Sequence, residues 1–270
     1  MRLLKISETD LEGLNEYFDE VERVELEELS PEVVENSSGL RVNGEPIDSF
    51  DAVYANILPR NAIFGRVLLE LIEERNISLN YYSTAFFTMA KKNYLCHVLN
   101  NKEVPTPASA AIADEKAARS LEKHLKGPLI GKKFQNFREV ESAKLDTVED
   151  IKSFSKGVEY GENIMVFKEF SEGDKYRCLV AGDQIVSLKD DSEGWKFKED
   201  NLSYSNTSNE IKDNVRIAAN AIGTEIAEVL VRSGEVVDIN PNPDLKKYMD
   251  VSGKDTFKAA AKTLKPGEES

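Results

Sequence analysis

Residues 236–245 read VVDINPNPDL, an apolar run that carries two oxygen-bearing side chains at alternate positions and then stops at prolines. On a strand, successive side chains point to opposite faces, so Val237 and Ile239 share one side and Asp238 and Asn240 the other. At about 3.3 Å per residue the two polar positions lie roughly 7 Å apart along the backbone, close enough to converge on one hard cation or its water shell. The same residues suit a solvated strand end running into an Asn-Pro turn. The ten residues alone leave both readings open.

Composition narrows the classes of partner. The 270 residues, 40% of them hydrophobic, can bury a core and point to two or three small lobes. Lys plus Arg number 35 and Asp plus Glu 49, a formal charge of -14 and the wrong sign for a nucleic-acid surface. No apolar run reaches the roughly 18 residues of a membrane span, and MRLLKISETD turns polar too early for a signal peptide. A cytoplasmic protein with no nucleic-acid partner and no membrane attachment is expected; a homo-oligomer is compatible with the sequence. Cys96 and Cys178 supply no disulfide framework, and with only His97 and His124 beside them they give no zinc-ligand spacing. Any metal should therefore be oxygen-bound.

Working outward, residues 3–7 (LLKIS) and 50–58 (FDAVYANIL) read as strands, and the acidic run between them as a solvated helix face and loop. Ile63, Phe64, Val67, Leu68, Leu71 and Ile72 recur at helical spacing, predicting a helix that packs that stripe on the strands. A second helical stretch spans 86–99 and ends at NNKEVPTP, with a domain boundary near Ser83. The middle holds a short helix with Ala117, Ala118, Leu121 and Leu125 on one side and His124 as an ordinary histidine. A hairpin of GPLIGKKF and REVESAKL follows, joined across Gln135 and Asn136, then a helix with capping-box spacing at Asp146 and Glu149. The last third reads as strands NIMVFKEF, YRCLVAG and QIVSLK, with a tight turn at Gly182-Asp183. A polar loop, a helix from about Asn209, and strands EVLVR and EVVDIN complete it. In YRCLVAG the alternation sets Lys175, Arg177 and Leu179 against Tyr176, Cys178 and Val180.

In this order the chain resembles the ATP-grasp ligases, most nearly the RimK-like branch, over residues 50–245. The resemblance rests on residues 50–107, on GPLIGKK, on IMVFKEFSEGDKYRCLVAGDQIV, in which YRCLVAGD is the most specific piece, and on EVVDINPNPDL. It implies an α/β fold (α+β) of three lobes: residues 1–83 as an α/β N-terminal lobe, 84–165 as a small central lobe, and 166–270 as the lobe holding nucleotide and metal. It also implies an ATP-dependent carboxylate-amine ligase that works through an acylphosphate, with Mg2+ or Mn2+ and with small-molecule, peptide or protein substrates. Lys92 and Lys132 fall at the phosphate-binding lysines, and Lys91 stands where the family usually has Asp. Lys168, Glu169 and Phe170 fall at the adenine hinge, and Asp174 or Lys175 near the ribose. Arg177 falls at the arginine that stabilises an oxyanion, and Asp238 and Asn240 at the metal-binding strand.

The chain departs from that pattern in two places. Lys132 is followed by KFQNFREVES, with no glycine to bring backbone amides onto phosphate, so a lid here would be shorter, stiffer, or built from side chains such as Lys133, Gln135, Asn136 and Arg138. Leu230 stands where the family usually has its first metal Asp; Glu228, two residues earlier on the same face, is the candidate replacement. These departures give a second reading, a nucleotide-binding protein with altered catalysis. The loop at 190–208, with Asn201, is the expected place for substrate contacts.

Overall fold

The computed structural model describes residues 1–7, 11–34, 37–90, 92–135, 138–156 and 163–265. In the N-terminal part, β1 (Arg2–Ser7) pairs in parallel with β2 (Glu20–Val24). A small antiparallel sheet follows, made of β3 (Leu29–Val34), β4 (Ser37–Val42) and β5 (Glu45–Pro46). Next come β6 (Ala52–Asn56), which pairs with β1, α1 (Ala62–Glu73) and β7 (Ser78–Leu79), which pairs with β6. The acidic run, expected as helix face and loop, thus contains strands. Its β2 is a sheet edge whose Glu20 and Glu22 pair with Arg2, and charge on an edge strand masks the alternation while blocking edge-to-edge association.

Helix α1 is where expected but rotated. Gly65, Leu68, Leu69 and Ile72 face the core, while Ile63, Phe64 and Val67 are 81%, 39% and 42% exposed. Gly65 sets the rotation: a Cβ there would lie 2.8 Å from Ile57 Cγ2 and 3.0 Å from the Phe86 ring. The stretch expected to be helical at 86–99 is helical over α2 (Ser83–Ala90) and α3 (Lys92–Asn100), with Lys91 between them outside the described residues.

The middle of the chain forms an antiparallel sheet in the order β10–β9–β11–β8, from β8 (Ser109–Ile112), β9 (Leu129–Gln135), β10 (Arg138–Leu145) and β11 (Asn163–Glu169). A 3-10 helix at Glu115–Lys123 and α4 (Val148–Ser155) accompany it. The capping box of α4 sits one residue beyond the expected pair: Asp150 N–H donates to Thr147 Oγ1, and Thr147 N–H to Asp150 Oδ2. Ile112, Leu121, Leu129, Leu145, Phe154, Met165 and Phe167 form a core of this region's own, and His124 is exposed.

The C-terminal sheet runs β14–β13–β12–β15–β16, from β12 (Lys175–Ala181), β13 (Gln184–Asp190), β14 (Leu202–Ser205), β15 (Ile226–Arg232) and β16 (Glu235–Asn240). Helix α5 (Asn209–Ile222) precedes β15, and α6 (Leu245–Ser252) and α7 (Thr256–Leu264) close the chain. On β12, Cys178 and Val180 join a core with α5 and the N-terminal sheet, while Leu179 joins a second core with α6 and α7. The N-terminal and C-terminal sheets thus share two cores, and the middle sheet, separately cored, forms one wall of a cleft. No helix among the described residues is long and apolar enough to cross a membrane.

Candidate functional site

In an antiparallel sheet, residues directly opposite one another share a face. Three such rows line up across β12, β15 and β16: Lys175, Arg232 and Glu235; Arg177, Leu230 and Asp238; Leu179, Glu228 and Asn240. A register irregularity between Leu230 and Val231 breaks the alternation of β16, so that Val237 lines the cleft beside Asp238 while Val236 and Ile239 are buried. The strict two-residue pattern read from VVDINPNPDL therefore fails at Val237, because a bulge sets two residues of one strand against one of its partner.

The facing wall comes from β9 and β11. Ile130 and Lys132 line the cleft on β9, and Gly131 between them packs on the middle core, where a Cβ would come within 2.8 Å of Leu145 and Phe154. Between the walls lies a cavity of about 270 Å³ whose lining includes Ile130, Lys132, Lys168, Phe170, Arg177 and Asp238. A second cavity of about 530 Å³ lies toward the N-terminal part, lined by Asn56, Met89, Lys92, Arg138, Asn240 and Asn242 among others. Lys132, Glu139 and Asp238 line both.

Three ammonium groups gather where the cavities meet. Lys92 Nζ lies 2.5 Å from Asp238 Oδ1 and donates to the Ile239 carbonyl at 2.6 Å. Lys132 Nζ is 4.0 Å from Asp238 Oδ2 and 2.8 Å from Glu139 Oε2, and Lys168 Nζ donates to the Val237 carbonyl at 2.7 Å. Burial would raise the Asp238 carboxyl, but the three lysines outweigh it and hold the group well below the usual carboxylate range. Burial pushes the Lys92 ammonium down against the pull of Asp238. It acts on Lys132 in the same sense, but there Asp238 and Glu139 prevail and raise the group.

The remaining expected site residues are placed as follows. Glu169 N–H donates to Ala108 O and Phe170 N–H to Pro128 O, so these two hinge amides are already engaged. Asp174 pairs with Lys189 at 3.3 Å in a groove outside the main cavity. Lys175 is buried against Asp190 at 3.3 Å. Arg177 Nη1 donates to Glu228 Oε1 at 2.8 Å, and the same oxygen accepts from Tyr248 Oη at 2.9 Å. Glu228 lines neither cavity. Asn240 Oδ1 accepts from Asn242 N–H at 3.0 Å, the local turn that Asn favours before proline. Of the lid residues, Lys133 bonds to Glu141 at 2.7 Å, Gln135 is exposed, Arg138 lines the second cavity, and Asn136 lies outside the described residues. Asn201 is exposed.

Magnesium at a nucleotide keeps several waters and takes phosphate oxygens, but it still needs one or two carboxylates free to face those phosphates. Here Leu230 stands directly across from Asp238, Glu228 is committed to Arg177 and Tyr248, and Asn240 to its turn. Among the described residues no group of three or more His, Cys, Asp or Glu side chains is placed to hold a metal. This donor set does not fit the magnesium or manganese site that the sequence implies.

Lys175, Arg177 and Arg232, the last of which the motifs did not single out, fix the loop after β13. Lys175 Nζ donates to Ser192 O at 2.7 Å and Lys196 O at 3.1 Å, Arg177 Nε to Lys198 O at 3.2 Å, and Arg232 Nη2 to Trp195 O. The Arg232 guanidinium lies 4.9 Å from the Phe170 ring centre and 5.1 Å from that of Phe197. Trp195 and Phe197 are thereby held as a wall of the 270 Å³ cavity. An aromatic pair inside an otherwise polar loop, GWKFKED, was the available signal.

No protein-family model and no curated protein sequence matches the chain. Solved structures do resemble it. The ATP-grasp ligase PsnB, complexed with a minimal precursor, is 19% identical, with 97% of each chain covered and a TM-score of 0.73. A RimK-domain ATP-grasp protein from Sphaerobacter thermophilus is 14% identical over 97% of this chain and 99% of that one, with a TM-score of 0.70. D-alanine–D-alanine ligase from Bacillus anthracis, complexed with ATP, is 14% identical over 98% and 96%, with a TM-score of 0.61. The three-part arrangement of α/β N-terminal sheet, separately cored middle sheet and C-terminal sheet, expected from the sequence, is the ATP-grasp fold, and this chain has it.

Proposed function

We propose that the chain is an ATP-dependent ligase joining a carboxylate to an amine in the cytoplasm. The observation that carries this reading is the cluster of Lys92, Lys132 and Lys168 at the junction of two cavities. The base and ribose of ATP would occupy the 270 Å³ cavity against Ile130, Phe170 and Trp195, and its phosphates would run to the lysines. That volume is near the lower end of the roughly 300–1,000 Å³ usual for ligand clefts, which suits a nucleotide whose phosphates leave the cavity. The second substrate would sit in the neighbouring cavity, where Lys92, Lys132 and Arg138 attract a carboxylate.

In this reading the carboxylate oxygen attacks the γ-phosphorus, ADP departs and an acylphosphate forms. An amine nitrogen then attacks the acyl carbon and loses a proton, and inorganic phosphate leaves as the amide forms. The lysines offset charge on the transferring phosphoryl group, and Arg177, fixed in place by Glu228, faces the developing oxyanion. Because the donor set does not fit a divalent ion, no step is assigned to one. PsnB has been solved with a precursor, Mg and ADP, and with a precursor peptide, which supports nucleotide binding and a peptide as one substrate.

Leu230 favours a second reading, a nucleotide binder with altered catalysis. ADP release by the purified protein, screened over carboxylates, peptides and amines, tests both. Release that requires both substrates supports the ligase; saturable ATP binding with no release under any pair supports the second reading.

A further inference from the structure

We infer that this chain takes its nucleoside triphosphate without a divalent cation, neutralising the phosphates with Lys92, Lys132 and Lys168. The inference rests on the reading of the cleft as a nucleotide site and concerns how that site balances charge. Leu230 puts a branched hydrocarbon directly opposite Asp238, at a cross-strand position only about 4.5–5.5 Å away between Cβ atoms. No oxygen donor can come from that position.

Glu228, the nearest carboxylate on the same strand face, is 8% exposed and accepts from both Arg177 and Tyr248. Swinging it onto a metal would strand a buried guanidinium. Asn240 holds the turn into its prolines through Asn242 N–H. Asp238 is left as the single carboxylate of the three rows that faces the lysine cluster, and it already compensates ammonium groups. A doubly charged cation entering there would meet three ammonium groups against two carboxylates, Asp238 and Glu139, that are already paired with lysine, whereas a triphosphate meets a net attraction. An ammonium group has three donors, so Lys92 and Lys132 can each keep Asp238 and still reach phosphate oxygen. The charge balance of the site therefore selects the metal-free anion.

The test uses the full chain and a non-hydrolysable ATP analogue, titrated once with magnesium and once with EDTA. Trp195, the one tryptophan of the sequence and part of the cavity wall, gives an intrinsic emission signal, and calorimetry gives a second readout. The expected result is dissociation constants that agree within about twofold in the two buffers, with Lys132→Met weakening both by about tenfold or more. Leu230→Asp, which places a carboxylate opposite Asp238, should make binding at least about tenfold tighter in magnesium than in EDTA. If that variant does not fold, the two titrations of the native chain decide alone. Native binding that falls by about tenfold or more in EDTA overturns the inference and leaves the ligase reading standing. No saturable binding in either buffer overturns both.

Discussion

Glu228→Gln should cost the protein stability and leave its response to magnesium unchanged. The substitution keeps the side-chain length and one oxygen acceptor but removes the charge opposite Arg177, whose Nη1 lies 2.8 Å from Glu228 Oε1 and whose side chain is 8% exposed. Removing one partner of a buried pair costs about 3–5 kcal/mol, chiefly because the other charge remains buried and uncompensated. Here the amide oxygen still accepts a bond, Lys198 O remains at 3.2 Å, and Glu199 stands at 3.9 Å in an exposed position. These bring the expected loss to about 2–3 kcal/mol. At roughly 2–4 °C per kcal/mol for a chain of this size class, the melting temperature should fall by about 5–10 °C. Differential scanning calorimetry, with urea unfolding as a check, measures it. The double variant Glu228→Leu with Arg177→Met, which removes both charges at once, should recover most of the loss. An unchanged melting temperature in Glu228→Gln, together with a lost magnesium effect on nucleotide binding, would show that the carboxylate serves a metal and that the buried-pair reasoning fails.

Two further outcomes concern the loop that carries Trp195. Arg232→Ala removes a charge-assisted bond to Trp195 O and the guanidinium between Phe170 and Phe197, so Trp195 emission should shift to the red and the loop should become sensitive to protease, with unfolding stability reduced by about 1–3 kcal/mol. Native emission and protease resistance in that variant would remove Arg232 as the clamp. Asp190 is buried, which by itself raises its carboxyl, but Ser192, the Lys198 and Ser192 amides and Lys175 win and lower it. A depressed carboxyl stabilises above its unfolded pKa of about 3.9 and loses that contribution as pH falls through the folded value. Trp195 emission should therefore hold steady from neutral pH to about pH 4 and change below it, whereas Asp190→Asn should show the altered emission already at neutral pH. A variant indistinguishable from the native chain at neutral pH would separate Asp190 from the loop.

Much of this fold is local chemistry. The strand at 236–240, the hairpin at 129–145, the tight turn at Gly182-Asp183 and the helix from Asn209 follow from alternation, turn residues and capping, which act over a few neighbours. Lys92, Lys132, Arg177 and Asp238 were singled out because residue types and their order along the chain carry the resemblance, whereas Lys168, expected at the adenine hinge, has its ammonium on the Val237 carbonyl beside them. Other features depended on neighbours distant in sequence. The acidic run hid β2 because an edge strand is free to expose charge on both sides. The rotation of α1 depended on Gly65 approaching Ile57 and Phe86, a contact that its own periodicity does not contain.

The sequence by itself determined most elements outside the acidic run, their order, and which charged residues stand near strand ends. Only the tertiary structure decided what those charges do. Asp238, a cation ligand by spacing, is surrounded by ammonium groups from α3, β9 and β11, and Glu228, a replacement ligand by position, is locked to Arg177 and Tyr248. The physical reason is that a side chain's role is set by the charges within a few ångströms of it, and here those charges come from residues 51 to 146 positions away.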